Sequence, residues 1–132
     1  MKMGRIKQFI DVNATKEDIY ELWLNSKKHS KLIGAPAVTS NKVGGKISIW
    51  DGYITGKNIE LVKDYKIVQL LRFDYEDWDE DHFSKLTLKF KMKPNGKIQI
   101  IMNQSQIPFE YTKEISDGWK KYYWERLKKY KF

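Results

Sequence analysis

The chain has 132 residues and a formal net charge of +8, from 25 Lys and Arg against 17 Asp and Glu. That length suits one domain, 1–132, large enough to bury a core without disulfides or metal, and the lack of Cys removes a disulfide framework. No run of about 18 apolar residues is present to cross a membrane, and the opening MKMGRIKQ carries no signal-peptide apolar region, so a soluble, cytoplasmic protein is expected.

Ile6, Gln8, Ile10 and Val12 alternate with Lys7, Phe9 and Asp11, which predicts a first strand with the former set inward. Thr15 with Asp18 three residues later forms an acidic near-match to a capping box. A short helix is expected from Lys16 to about Asn25, burying Ile19, Leu22 and Trp23. Ser26 is expected to cap a second helix through Leu32, stopped by Gly34 and Pro36.

Strand and turn signals dominate from there. Val38 reads as a short edge segment, Gly44-Gly45 as a turn, and Lys46–Asp51 as a strand. Gly52 and Gly56 predict bulges or a tight turn. Alternation resumes over Asn58–Val62, with Ile59 and Leu61 on one face. Lys63-Asp64 then marks a hairpin, and Ile67, Gln69, Leu71 and Phe73 share a face. Ser84–Met92 is the clearest strand, with Leu86, Leu88, Phe90 and Met92 against Lys85, Thr87, Lys89 and Lys91. Pro94-Asn95-Gly96 turns the chain into Lys97–Gln104, with Ile98, Ile100 and Met102 inward. One apolar and one wet face imply an antiparallel sheet.

At 100° per residue, Ile115, Trp119, Tyr122, Tyr123, Leu127 and Tyr130 make one apolar stripe, while Trp124 projects outward. A helix from Lys113 to Tyr130 would run roughly 27 Å. Arg126 interrupts its stripe. The order of elements defines an α+β fold, in which about six or seven antiparallel strands pack against two short helices and one long terminal helix.

Several groups carry possible chemistry. A space between helix and sheet would be lined by Trp50, Tyr53, Gln69, Leu71, Trp78, Phe90, Trp119, Tyr123 and Arg126, apolar walls with a few polar groups. Gln8 and Gln104 fall on the same inward faces. For Arg126 taken alone, a rim position paired with Glu110 or Asp117 is favoured. An exposed Trp124 would mark a partner contact or cover the sheet edge. Asp74–Asp81 holds six acids in eight positions, but His82 and Leu88 stand where a calcium loop needs Gly and Glu, so a solvated hairpin is favoured. Asp51 before Gly52 reads as a turn residue bonding backbone groups.

No Cys nucleophile, Gly-x-Ser-x-Gly elbow, Walker loop or metal-ligand spacing is present, so no catalytic residue, metal or cofactor is expected. The lysines scatter over outward positions without a recognition element, which favours a solvated basic surface over nucleic-acid binding.

The stretch K-V-G-G-K-I-S-I-W-D-G-Y-I-T-G (Lys42–Gly56) resembles the G-G-x-[FI]-x-x-x-D-G-x-I-x-G signature of single-domain relatives of the heat-shock-protein-90 ATPase activator. N-I-E-L-V, I-V-Q-L-L-R, S-K-L-T-L-K-F and G-W-K-K-Y-Y-W-E-R-L-K-K-Y follow in that family's order. The resemblance implies the START-like (SRPBCC) helix-grip fold, a curved antiparallel sheet wrapping a long C-terminal helix around a cavity. It departs at Leu71-Arg72, where relatives have Trp-Arg, and no counterpart of the separate N-terminal domain of the full eukaryotic co-chaperone is expected in these 132 residues.

The leading expectation is a non-enzymatic domain holding a small, largely apolar ligand between sheet and helix. The alternative is a protein-interaction module with a chaperone or other protein partner. A cyclase- or hydrolase-like enzyme, known among superfamily cousins, is the weakest reading. No membrane partner is expected, and the sequence leaves the oligomeric state open.

Overall fold

A computed structural model describes residues 2–132. Seven strands form one antiparallel sheet in the order β1-β7-β6-β5-β4-β3-β2. They are β1 (Met3–Val12), β2 (Ala37–Val38), β3 (Lys46–Ile49), β4 (Ile54–Val62), β5 (Lys66–Phe73), β6 (Ser84–Met92) and β7 (Ile98–Pro108). The chain thus meanders from β2 to β7, and β1 closes on β7 through pairs such as Ile10 with Ile100. Register shifts at Gly4/Ile6 and Asn58/Glu60 add the local twist by which such a sheet bends. Gly56 pairs with Leu71, and any Cβ there would run into the Leu70 carbonyl oxygen, so this contact between β4 and β5 requires glycine.

Between β1 and β2 lie α1 (Lys16–Leu24) and α2 (Ser26–Ile33). The Thr15 hydroxyl accepts from the Asp18 amide at 3.0 Å, and the Asp18 carboxylate accepts from the Thr15 amide, which completes the expected capping box. The cap of α2 differs from expectation. Asn25, not Ser26, accepts from the Lys28 amide, because Ser26 is one residue inside the helix and bonds Thr39 instead. Gly34 ends α2 in the left-handed conformation at φ 68°.

The terminal helix opens with a 3-10 turn at Phe109–Tyr111. It continues as α3 (Thr112–Gly118), a π-helical segment (Trp119–Trp124) and α4 (Glu125–Lys129). The π segment corrects two expectations, since Trp124 is buried and Tyr122 is exposed. Relative to Trp119, Tyr123 is i+4 and Trp124 is i+5. In a uniform α-helix i+5 lies about 140° away, so it would face solvent. The wider π turn, closed by the Glu125 amide on the Lys120 carbonyl, brings both rings inward.

Strand alternation otherwise delivers the expected core, with Leu86, Leu88, Phe90, Ile98, Ile100 and Met102 all buried. Met92 departs from it. At 62 % exposed it lies where β6 runs out toward the turn, past the reach of the helices. Strand β7 also continues beyond Gln104 to Pro108, which pairs with Met3 at the end of the sheet.

Candidate functional site

Each of three tryptophans, Trp23 on α1 and Trp119 and Trp124 on the terminal helix, has its own glutamine. Trp119 Nε1 donates to Gln104 Oε1 at 2.7 Å, Trp23 Nε1 to Gln69 Oε1 at 3.3 Å, and Trp124 Nε1 to Gln8 Oε1 at 2.6 Å. The amide nitrogens are used as well. Gln104 donates to Ser84 Oγ, which donates to the Leu71 carbonyl, and Gln69 donates to Asn58 Oδ1. Asn58 in turn donates to the Ser40 and Lys42 carbonyls, tying the β2–β3 loop to the core. Gln8 donates to Ser116 on α3. A buried polar group without a partner costs free energy, and these chains leave Gln69 and Gln104 satisfied at both ends.

His29 extends the pattern. The Trp23 carbonyl can only accept, so Nδ1–H donates to it at 2.9 Å. The neutral ring's Nε2 then accepts from the Tyr123 hydroxyl at 2.8 Å. Burial pushes the His29 pKa down to about 4, opposed by the backbone hydrogen bond to Trp23, and burial raises that of the Tyr123 phenol. Trp23, Trp119, Tyr123 and Trp124 lie ring against ring, with Trp119 and Tyr123 centroids 4.8 Å apart. These rings occupy the space between sheet and helix.

An aromatic groove of about 520 Å³ remains beside that cluster, open to solvent. Trp50, Tyr53 and Ile54 from the β3–β4 region, Phe73 and Tyr75 from the end of β5, and Ile115, Trp119, Tyr122 and Tyr123 from the helix line it. Glu114, Asp117 and Lys121 add charge at its mouth. A strained turn sets one wall. Trp50 and Asp51 both have left-handed φ, 52° and 55°, followed by Gly52 at 92°. This turn holds Trp50 edge-on to Tyr122 and Tyr123. Asp51 itself is exposed, and its part in the turn is its tolerance of left-handed backbone. Opposite, burial raises the Tyr75 phenol pKa, reinforced by the nearby Tyr53 hydroxyl and Glu114 carboxylate.

Of the nine residues expected around a cavity, Trp50, Tyr53, Trp119 and Tyr123 meet in this groove. Gln69, Leu71, Trp78 and Phe90 are buried elsewhere in the core. Trp78 stacks on Phe73 and Tyr75, its Nε1–H donating to the His82 carbonyl, while Arg72 holds the same loop through the Asp79 carbonyl. Arg126 is exposed, with its guanidinium over Gly34, because the π segment turns it away from the sheet. There its charge complements the C-terminal end of α2. The groove also takes in Phe73, which alternation turns inward, and Tyr75 and Glu114, which no sequence pattern marks for it. Tyr75 lies just beyond β5, where alternation stops marking faces, and Glu114 lies on the polar side of the projected helix. No group of three or more His, Cys, Asp or Glu positioned for a metal occurs among the described residues, and no described helix is long and apolar enough to cross a membrane.

An antiparallel sheet carrying two short helices and a terminal helix on its apolar face defines a helix-grip domain. Residues 13–131 match the family model for Activator of Hsp90 ATPase homolog 1-like protein, and the chain belongs to that family. It is 32% identical over 115 residues to the human Activator of 90 kDa heat shock protein ATPase homolog 1, covering 87% of this chain and 33% of that protein. The Dictyostelium discoideum homolog is 31% identical over 113 residues, 84% of this chain and 28% of its own length. The chain therefore spans about a third or less of these curated relatives. Among solved structures, an HSP90 activator from Plasmodium falciparum superposes with a TM-score of 0.84 at 23% identity, covering 93% of this chain and 92% of that one. The Aha1 dimer from Colwellia psychrerythraea gives 0.76 at 14% identity, covering 95% and 96%. At those identities the two structures establish the fold.

Proposed function

We propose that this chain is a protein-interaction module that docks on an Hsp90-type chaperone, with no chemistry of its own. Family membership carries the reading, since the curated relatives are named as activators of that chaperone's ATPase. The paired interior supports it, because the glutamines that would have oriented a ligand are engaged by tryptophans. A cytoplasmic setting goes with this role. Immobilised chain incubated with purified Hsp90 should retain it in a salt-sensitive manner, as expected for a basic surface. Absence of retention at low salt, with the chain folded, overturns the proposal. Stimulation of the ATPase is a separate measurement, because the relatives are about three times longer.

The aromatic groove favours a second reading, a small and largely apolar ligand held against Trp50, Tyr53, Phe73 and Trp119. Native mass spectrometry after purification, together with thermal shifts against a library of lipids and aromatic compounds, tests it. Tyr53→Ala should abolish any shift seen, and a library without a single stabilising compound would count against this reading.

A further inference from the structure

Strand β1 is an edge strand, paired with β7 on one side only. Along its other side runs a groove of about 1010 Å³. Every residue from Lys7 to Asn13 lines it, although alternate residues belong to opposite faces of the sheet. Only a free edge presents both faces at once, so the groove follows the unpaired backbone amides and carbonyls of β1. Its inner wall is made by the edges of Ile10 and Val12 with Trp124 and Leu127 of the terminal helix, each at most 5 % exposed, and by half-buried Gln8 and Tyr130. Its rim is basic, with Lys7, Lys93, Lys97, Lys120 and Lys128 against the carboxylates of Asp11 and Glu125. Lys93 already neutralises Asp11 at 2.8 Å, whereas the other four lysines have no ion pair among the described residues.

We infer that this edge is a docking site for an extended acidic segment of a partner protein, added to the sheet as an eighth strand. The inference rests on the reading of the chain as a protein-interaction module. The partner backbone would bond the free edge of β1, and side chains alternate along a strand. Those facing inward meet Ile10, Val12 and Trp124, while outward carboxylates meet Lys7 and the rim. Charge selects the occupant. A second copy placed edge to edge would set the same lysines against one another, so the basic rim repels self-pairing and attracts an acidic strand.

The test is an amide NMR titration of the full chain with a synthetic peptide of alternating Glu and Val, beside the same peptide carrying Lys for Glu. Shifts should concentrate in residues 7–13 and the facing helix, with slowed exchange of the outward β1 amides. Affinity should fall on the order of tenfold between about 0.05 and about 0.3 M salt. The double variant Lys7→Glu, Lys120→Glu should lose a similar factor. Both side chains are exposed, and unchanged resonances elsewhere report an intact fold. Shifts centred elsewhere, equal binding of the Lys peptide, or sedimentation showing copies joined through β1 would overturn the site. Hsp90 retained equally by wild type and double variant also overturns it, leaving the chaperone reading intact. A peptide that docks on β1 while Hsp90 fails to bind leaves the site standing and removes the chaperone reading.

Discussion

His29 is fully buried with both ring nitrogens engaged, so a positive charge on the ring would be cut off from solvent. Unfolded, the ring titrates near its ordinary value of about 6.5; folded, it does so at about 4. Between those values the unfolded chain takes up a proton that the folded chain refuses, so stability rises with pH across this window. The contribution is full above about 6.5 and is lost as pH falls toward 4. Urea unfolding should therefore show a loss of about 2 kcal/mol from pH 7 to pH 5. His29→Gln should be less stable at pH 7 but flatter across the interval, and an unchanged slope would place the titrating group elsewhere. The glutamines allow a second residue-scale comparison. Gln104→Leu strands the Trp119 indole N–H in a site that is 1 % exposed and removes the donor to Ser84 Oγ, which keeps its own bond to the Leu71 carbonyl, at a cost of about 2 kcal/mol. Gln8→Leu should cost less, because half-buried Gln8 lies where water can replace it. Equal midpoint shifts in denaturant would remove burial as the deciding factor.

The π segment is the element that sets the site. Trp119, Tyr123, Trp124 and Leu127 face inward at i, i+4, i+5 and i+8, which together with buried Ile115 would spread over about 180° of a uniform α-helix. Deleting exposed Lys121 would convert it to i, i+3, i+4 and i+7, the ordinary α stripe. That deletion should leave the fold intact at a cost of about 1 kcal/mol or less, with the π turn replaced by α-helix. Deleting Glu125 instead gives i, i+4, i+5 and i+7, and the helix must release either Trp124 or Leu127 from the core, costing about 2–5 kcal/mol. Thermal denaturation of the two variants side by side decides the point. The same segment explains what the sequence could and could not convey. Strands β1, β5, β6 and β7 were legible because a period of two depends only on neighbours along the chain. Thr15 and Gly34 were legible because capping is local. Trp124 and Arg126 were misplaced because a 100° projection contains no π turn. Alternation turns the glutamines inward but does not name their partners, since only the folded register shows that Gln104 and Trp119, or Gln8 and Trp124, meet.

For the molecule as a whole, the buried glutamines and His29 are paired within the core, with the Thr39 and Thr112 hydroxyls the buried side-chain groups left without a partner among the described residues, and the exterior is basic. The net charge of +8 is spread over a small domain, so the folded state carries self-repulsion that the expanded chain relieves. Opposing it, among the described residues, are five ion pairs, four of which have at least one partner side chain more than half exposed. Pairs of that kind contribute about 0–1 kcal/mol each and weaken under the same screening. Salt therefore acts on two terms of opposite sign, and the long-range one is larger because every lysine takes part in it. Raising NaCl from about 0.02 to about 0.3 M at neutral pH should raise the Tm by a few degrees, as the screening length contracts below the spacing of surface charges. The same addition should weaken capture of Hsp90 and of the acidic peptide, because attraction across an interface is screened along with repulsion within the chain. Stability and binding should thus move in opposite directions over one salt series. A Tm that falls with salt would show that the ion pairs outweigh the net charge, and binding that strengthens with salt would make apolar burial, rather than the lysines, the basis of docking.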